Sequence, residues 1–490
     1  MPPVAADRLN RCSVGSVRSP LEGASRGGET RLVSAIQPTA SPPGSARVDP
    51  LESEIGAIGR ELAARRGSLR RLRRGAQDRG TAQLAADPDL RAALFRLVDV
   101  APACAGAGEL ADHLGAFLGQ VGDASAPAAL GARAVDSPLL GPAAGVLASR
   151  LVRQMAHRFI VAESVPAAAG TLRRLWGQGI GATVDLLGEA TVTPAEGLAY
   201  AERCERSLEA LALAASGWPQ RPLLEEDAAG PVPRVNLSVK VTALTPLVRP
   251  AAPGRAHADA AVHLRRLLRR ARDLGAHLHI DMESMDSREL ICDLVFDLLA
   301  EPEFASGPSA GMVLQAYLRD SEELLDQVLE RTAAAGRAVP LTVRLVKGAY
   351  WDHETIEAAQ HGWAPPVWTE KAETDRCYER LTRRLVDAFP LVRTAIASHN
   401  LRSVAHAVAY ARAAGLGPAD IEVQVLRGLG DDLGEAAAAA GLRCRAYCPV
   451  GDLVAGMAYL VRRLLENTSN TSFLASRAGG AELDDLLRAP

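Results

Sequence analysis

The sequence predicts an α/β fold, a (β/α)8 barrel with a helical region before it. From residue 180 onward, eight short apolar runs rich in β-branched residues recur, and each is followed by a segment of helical composition. Near-continuous apolar strands that alternate with helices are typical of parallel sheets covered on both faces. Eight successive units match the number of a closed barrel. A doubly wound open sheet is the alternative, but no glycine-rich switch-point fingerprint supports it.

The composition is that of a soluble globular protein. Of the 490 residues, 48% are hydrophobic and 23% are charged, and the net charge is −3. This charge balance offers no polycationic surface, so nucleic acid is not an expected partner. No run of about 18 apolar residues is long enough to span a membrane.

Four regions follow one another along the chain. Residues 1–50 are rich in Ser, Pro, Ala and Gly without an apolar period, which predicts a disordered tail. An organelle transit peptide is the alternative for this Arg- and Ser-rich start, which lacks the apolar core of a secretory signal. Residues 51–150 are Ala- and Leu-rich and predict a helical arm region, residues 151–476 the barrel, and residues 477–490 a C-terminal tail.

The cysteines indicate a reducing compartment. The seven cysteines are scattered, odd in number and contain no C-x-x-C pair. That pattern favours free thiols in a cytoplasmic protein over a disulfide framework or a zinc site.

The eight predicted strands end in polar residues, where a barrel carries its active groups. The apolar runs are GATVDLL (181), RVNLSVKV (234), AHLHIDM (276), MVLQAYL (312), LTVRLVKG (341), RTAIASHN (393), IEVQVLRG (421) and RCRAYCPV (443). The polar residues at their ends are Asp185, Glu189, Lys240, Asp281, Glu283, Gln315, Tyr317, Arg344, Lys347, His399, Asn400, Gln424, Arg427 and Tyr447. Polar groups in apolar strands are costly unless they serve a site or pair with one another. We therefore expect a site at this end of the barrel.

Lysine is rare enough in this chain to be informative. Only three lysines stand among the 55 basic residues, and Lys240 and Lys347 fall at strand ends. Lysine is a compact point charge and arginine a planar fork, so a retained lysine suggests a geometric requirement.

The predicted site suits an organic anion. The last long helical segment carries Arg462 and Arg463, and adjacent arginines suit bidentate capture of a carboxylate. A metal site of Asp281, Glu283 and His399 is the alternative, weakened by the cations predicted at the same mouth. A non-enzymatic scaffold, in which the basic helix at residues 61–75 binds a partner, is a further alternative.

Seven motifs of the chain resemble those of the proline dehydrogenase family, most of all the proline dehydrogenase domain of bacterial bifunctional proline utilisation flavoenzymes. In order, they are LSVKVTAL, HIDMES, MVLQAY, VRLVKGAYWD, ASHN, RAYCPVG and YLVRRLLENTSNTSF. The resemblance runs from about residue 150 to 476. It implies a distorted TIM-like (β/α)8 barrel that binds FAD and oxidises L-proline to Δ1-pyrroline-5-carboxylate by hydride transfer to flavin N5.

The resemblance also implies roles for individual residues. Asp281 and Arg344 are expected to be catalytic, with Arg344 beside flavin N5, and Glu189 to gate the pocket by pairing with Arg462. The expected substrate-binding residues are Lys240, Tyr447, Tyr459, Arg462 and Arg463. The expected FAD contacts are Met282, Gln315, Arg344, Lys347, Gly348, Ala349, Ser398 and His399. No metal is expected.

The resemblance further implies partners and a location. The electrons are expected to pass to a membrane quinone, with the protein bound peripherally at the inner face of the membrane in the cytoplasm. A separate pyrroline-5-carboxylate dehydrogenase is expected to take the second step, and hydroxyproline stays open as an alternative substrate. VLRGLG replaces the more usual Leu-His-Gly, which leaves Arg427 without an assigned role.

Overall fold

The structure is a computed structural model of the 490-residue chain. It describes residues 49–73, 96–97, 100, 103–104, 106–120, 146, 150, 157, 159–188, 191–249, 251–452, 456 and 482–490. Residues 1–48 of the predicted tail (1–50) and the boundary at 476 lie outside these ranges, and the predicted division into four regions stays a prediction. In the described part, no helix has both the length and the apolar character needed to cross a bilayer.

Eight parallel strands close into a barrel, which confirms the predicted fold class. The strands are β1 (Ile180–Leu186), β2 (Asn236–Lys240), β3 (His277–Asp281), β4 (Ser309–Gln315), β5 (Leu341–Val346), β6 (Val392–Ala397), β7 (Ile421–Leu426) and β8 (Arg443–Val450). Each pairs with the next along the chain, and β1 closes the barrel by pairing with both β2 and β8. Each of the eight apolar runs of the sequence overlaps one of these strands, and β1, β4 and β6 begin one to three residues before their runs.

The longer helices with described bounds are α1 (Pro50–Arg73), α2 (Ala107–Gln120), α3 (Val165–Gly177), α4 (Pro194–Ser216), α5 (Pro253–Asp273), α6 (Met285–Leu299), α7 (Ser321–Ala335), α8 (Trp351–His361), α9 (Lys371–Asp387), α10 (Leu401–Ala413) and α11 (Asp431–Ala439). The first three precede β1, and those from α4 onward alternate with the strands. Short helical turns lie at Pro222–Glu225, Val241–Leu244, Pro302–Phe304 and Leu483–Leu486. Local sequence sets several boundaries: Thr193 and Glu196 form a capping box at the start of α4.

The strands divide an apolar exterior from a polar interior. In β2, Leu237 and Val239 are fully buried in the main apolar core, while Ser238 between them points to the other face. The same alternation places His279 and Arg344 inside the barrel, on β3 and β5. Barrel interiors are ordinarily filled by branched apolar side chains. Here buried polar side chains occupy that place, so their hydrogen bonds decide how the interior packs.

A buried carboxylate closes the end of the barrel where the strands begin. A short hairpin, Glu226–Asp227 with Gly230–Pro231, lies at this end. Asp227 accepts a hydrogen bond of 2.8 Å from Arg393 Nε and one of 3.0 Å from Arg443 Nη1. Its two partners stand at the starts of β6 and β8, so one carboxylate ties two strands to the hairpin.

Helix α1 of the predicted arm region packs on the barrel through ion pairs. Glu52 accepts hydrogen bonds of 2.5 and 2.7 Å from the Arg402 guanidinium of α10. Arg60 pairs with Asp484 near the end of the chain at 3.1 Å. Within the basic stretch at residues 61–75, Arg65 donates from Nη1 to the Ala439 carbonyl of α11 at 3.1 Å, so part of the helix that a scaffold would present to a partner is engaged within the chain.

Two glycine-to-alanine substitutions test the helical packing, because we expect them to change the free energy of unfolding in opposite directions. A Cβ on Gly197 in α4 would lie 2.4 Å from the Leu244 carbonyl oxygen, whereas one on exposed Gly170 in α3 would meet nothing within 4 Å. Gly197→Ala is expected to destabilise the protein by about 1–3 kcal/mol through overpacking. Gly170→Ala is expected to stabilise it by about 0.5–1 kcal/mol through helix propensity. Urea unfolding measures both, and equal effects of one sign would contradict this packing.

Candidate functional site

Asp281, at the end of β3, is the centre of the polar cluster at the C-terminal mouth of the barrel. Its Oδ1 accepts hydrogen bonds from Arg344 Nη1 at 2.7 Å and Ser238 Oγ at 2.9 Å. Its Oδ2 accepts one from the Tyr447 hydroxyl at 2.6 Å, and Lys240 Nζ lies 3.7 Å from the same oxygen. The cluster thus joins Lys240, Asp281, Arg344 and Tyr447, four of the predicted site residues.

The strand register explains why these residues meet. Lys240 stands directly opposite Asp281 across the β2–β3 pair, and Asp185 stands opposite Ser238 across β1 and β2. Opposed residues of parallel strands point to the same face of the sheet. The carboxyl ends of all eight strands also meet at one rim, so residues far apart in sequence converge there.

Lys240 is held as a charged ammonium group. Its Nζ lies 2.5 Å from Asp185 Oδ1, and the Asp185 side chain is fully buried. Burial alone would lower the pKa of Lys240, but the carboxylates of Asp185 and Asp281 outweigh burial and raise it. Lys240 is therefore a positive charge at neutral pH.

Asp281 is held as a carboxylate by its neighbours. Burial would raise the pKa of Asp281, but the positive charges of Arg344 and Lys240 outweigh burial and lower it. Two cations, Arg344 and Lys240, thus face two carboxylates, Asp281 and Asp185. This balance offsets the large cost of burying each charge by itself.

Arg344 and Gln315 present buried polar atoms that the described residues leave without a partner. Arg344 donates through Nε to Gln424 Oε1 at 2.7 Å and through Nη1 to Asp281, while its Nη2 has no partner there. Gln315 donates to the Glu283 carbonyl at 2.9 Å, while its Oε1 has no partner among those residues. Unsatisfied buried polar atoms are costly. One donor and one acceptor are therefore available here for a ligand.

The segment after β5 is held by an ion pair and by an aromatic ring. Lys347 donates to Asp375 of α9, to which Lys371 also donates. Gly348 has φ +133, and a Cβ there would lie 2.4 Å from the Tyr317 ring. The backbone conformation and the ring both require glycine at this position. Ala349 follows it, half-buried, and precedes α8.

The loops after β3 and β6 hold three more of the predicted residues. Met282 is buried directly after Asp281. Ser398 Oγ accepts from the Asn400 backbone N–H at 3.1 Å, and His399 Nε2 accepts from the Leu426 N–H at 2.9 Å. An accepting Nε2 carries no proton, so a neutral His399 has its proton on Nδ1.

Several predictions fall elsewhere. Glu189, Tyr459, Arg462 and Arg463 lie outside the described residues. Arg427, which had no assigned role, pairs with Asp431 at 2.8 Å one turn along. For the metal alternative, the described residues contain no group of three or more side chains placed to hold a metal ion.

Three residues of the cluster were not predicted as site residues. Asp185 and Gln424 were noted only as polar strand ends, and Ser238 was not singled out. Ser238 stands two residues before Lys240, so strand alternation alone places it on the same inner face. That signal was sufficient to find it.

Two family models match the chain. The model described as "Proline dehydrogenase" matches residues 168–476, and that described as "Proline utilization A N-terminal domain" matches residues 52–159. The first match covers more than half of the chain and contains all eight barrel strands.

Known proteins agree with these matches. The bifunctional protein PutA of Salmonella typhimurium is 33% identical over 347 residues, which is 69% of this chain and 25% of that protein. The proline dehydrogenase of Deinococcus radiodurans is 27% identical over 328 residues, which is 67% of this chain and 91% of that protein. The solved structure of proline utilization A from Bdellovibrio bacteriovorus, inactivated by N-propargylglycine, has a TM-score of 0.80 and 34% identity, covering 90% of this chain and 44% of that one. The chain thus spans about a quarter of the length of the Salmonella relative.

Neutralising Asp281 tests the charge balance of the cluster. Asp281→Asn leaves the buried Arg344 guanidinium without its carboxylate, and loss of one partner of a buried ion pair costs about 3–5 kcal/mol. The matched control is Asp293→Asn, whose carboxylate pairs with Arg331 at 2.6 Å but has a side chain 60% exposed. The control is expected to cost about 0–1 kcal/mol. Equal stabilities of the two variants in urea unfolding would contradict this account.

Proposed function

The chain belongs to the proline dehydrogenase family, and from this membership we propose that it oxidises L-proline to Δ1-pyrroline-5-carboxylate with FAD as the hydride acceptor. The reaction removes a hydride from the ring carbon beside nitrogen and a proton from the nitrogen, which leaves a carbon–nitrogen double bond. Bound FAD would supply a ring nitrogen, N5, that accepts the hydride.

The observation that carries the proposal is the pair of unsatisfied atoms at the mouth. Among the described residues, Arg344 Nη2 is a buried donor without a partner and Gln315 Oε1 a buried acceptor without one. A flavin ring carries an N–H donor and acceptor atoms, so its polar groups complement both. The residues present therefore fit a flavin, with Lys347, Gly348, Ala349, Met282, Ser398 and His399 as the other proposed contacts.

Arg344 supplies the charge that such a reaction needs. A guanidinium stays protonated throughout the working pH range and favours negative charge that develops beside it. Its Nε and Nη1 are held by Gln424 and Asp281, which leaves Nη2 directed by the geometry of the other two nitrogens. The cation is in place before the reaction starts, so little reorganisation is needed.

Asp281 and Lys240 organise the substrate pocket. Both oxygens of Asp281 already accept hydrogen bonds, and its pKa is lowered. Asp281 thus orients its neighbours at the substrate. Lys240, with the predicted Arg462 and Arg463, would attract the substrate carboxylate.

Tyr447 is fixed as an apolar wall for the substrate ring. Its hydroxyl is used by Asp281 at 2.6 Å, and the Arg344 guanidinium carbon lies 5.1 Å from the ring centroid. A cation near an aromatic face is attracted to it. The ring is thus held at two points, and we propose that it packs against the carbon skeleton of proline, as does Tyr459.

We further propose the partners that family likeness supports. A membrane quinone would reoxidise the flavin, with the protein bound peripherally at the inner, cytoplasmic face of the membrane. The product opens by hydrolysis to an aldehyde, so a pyrroline-5-carboxylate dehydrogenase would consume it. Glu189 is the proposed gate through its pairing with Arg462.

Anaerobic titration tests the proposed activity. Protein purified with FAD is expected to be yellow, and L-proline is expected to bleach its flavin absorbance in the absence of oxygen. Parallel titrations with hydroxyproline and D-proline measure ring and stereochemical preference. The proposal is contradicted if the protein binds no flavin, or if its bound flavin stays oxidised after L-proline is added.

A matched pair of lysine substitutions tests the proposed cofactor contact. Lys347 and Lys371 both donate to Asp375, with side chains 24% and 41% exposed. Lys347→Ala is expected to weaken FAD binding by about tenfold or more, the effect of losing about 1.4 kcal/mol of charge-assisted contact. Lys371→Ala is expected to leave binding unchanged. Flavin fluorescence during dialysis measures the FAD that each variant retains. An equal loss of FAD from both variants would contradict a direct contact between Lys347 and FAD, because both lysines pair with Asp375.

A further inference from the structure

A chain of buried hydrogen bonds leads from the barrel wall to Arg344. Arg445 of β8 donates from Nη1 to the Ala182 carbonyl of β1 at 3.1 Å and from Nε to both oxygens of Glu422 at 3.0 Å. Gln424 Nε2 donates to Glu422 Oε1 at 2.6 Å, and Gln424 Oε1 accepts from Arg344 Nε at 2.7 Å. Each of these side chains is buried.

The two neighbours of Gln424 leave its amide only one orientation. Glu422 as a carboxylate can only accept, so it must face the amide nitrogen. Arg344 can only donate, so it must face the amide oxygen. A flipped amide would bring donor against donor at one end and acceptor against acceptor at the other. The Glu422 carboxylate, two residues earlier on β7, and the Arg344 guanidinium thus fix the Gln424 amide from its two ends.

The surroundings keep Glu422 charged. Burial would raise its pKa, but Arg445 outweighs burial and the pKa of Glu422 is lowered to about 2. The carboxylate is thus ionised at any pH at which the protein is used, and the orientation of Gln424 does not vary with protonation.

We propose that Glu422 and Gln424 are positioning residues for Arg344, because the buried carboxylate fixes the amide that holds Nε while Asp281 holds Nη1. Two anchors on one planar guanidinium determine where Nη2 points. That the direction of Nη2 matters for catalysis rests on the proposed function. That Glu422 helps to set the position of Arg344 does not.

Two substitutions release the anchor. Glu422→Gln replaces a carboxylate that only accepts by an amide that can also donate, so the Gln424 nitrogen loses its charged acceptor and only Arg344 still constrains the Gln424 amide. Gln424→Leu removes the acceptor and leaves the Glu422–Arg445 pair in place. The control is Ser309→Ala, which removes a buried hydrogen bond of 2.8 Å to His277 that is not part of this chain of bonds.

The first measurement is independent of activity. Crystal structures of the wild type and the three variants are expected to show the Arg344 guanidinium displaced from its place in Glu422→Gln and Gln424→Leu, and unchanged in Ser309→Ala. An Arg344 that keeps its position and its Asp281 contact in both variants overturns the positioning proposal, whatever the enzyme does.

The second measurement separates positioning from a merely structural role. With FAD bound, both variants are expected to lower kcat for L-proline by about tenfold with little change in KM, the pattern of an interaction used in the transition state. A tenfold weaker stabilisation of the reduced flavin corresponds to about 30 mV in a two-electron midpoint potential, which is expected to become more negative. If kcat and the midpoint potential are both unchanged, the proposal that this positioning of Arg344 contributes to catalysis is overturned. A wild-type protein that fails to oxidise proline refutes the proposed function instead, and the crystal structures still decide the geometric part.

Discussion

The buried ion pair between Asp281 and Arg344 is the interaction on which the rest of the site depends. Neither group can be buried alone without a large desolvation cost. Asp281 is satisfied by Ser238 and Tyr447 as well as by Arg344. Lys240 and Asp185 add a second pair of opposite charges beside it. The five strands that contribute these residues are thereby held in one mutual arrangement at the mouth.

The barrel can hold such an interior because its stability comes from its outer face. Leu237, Val239, Leu278 and Ile280 point outward and are buried under the helices. Burial of apolar surface between strands and helices provides the main driving force for folding. The inner face is then free to carry charge, provided that each charge has a partner, as Glu422 has in Arg445. The outer face of the barrel thus stabilises the fold, and the inner face holds the polar groups of the site.

The sequence was sufficient to predict the eight strands and the central residues at the mouth of the barrel. All eight apolar runs overlap strands, and Lys240, Asp281, Arg344 and Tyr447 converge because parallel strands end at one rim. The sequence did not predict which of the buried polar side chains form hydrogen bonds with one another. The bond between Gln424 and Arg344 joins residues 80 positions apart, and that between Arg393 and Asp227 joins residues 166 apart. Strand alternation says which residues face inward, but only the packed barrel decides which of them touch.

A crystal structure of the protein purified with FAD tests the central claim most directly, that the charged interior holds Arg344 ready at the mouth of the barrel. The account predicts a flavin ring at the C-terminal ends of the strands, within hydrogen-bond distance of Arg344 Nη2. Arg344 would keep Nη1 on Asp281 and Nε on Gln424, as in this structure. A flavin bound elsewhere, or an Arg344 that leaves Asp281 to reach the flavin, would contradict it.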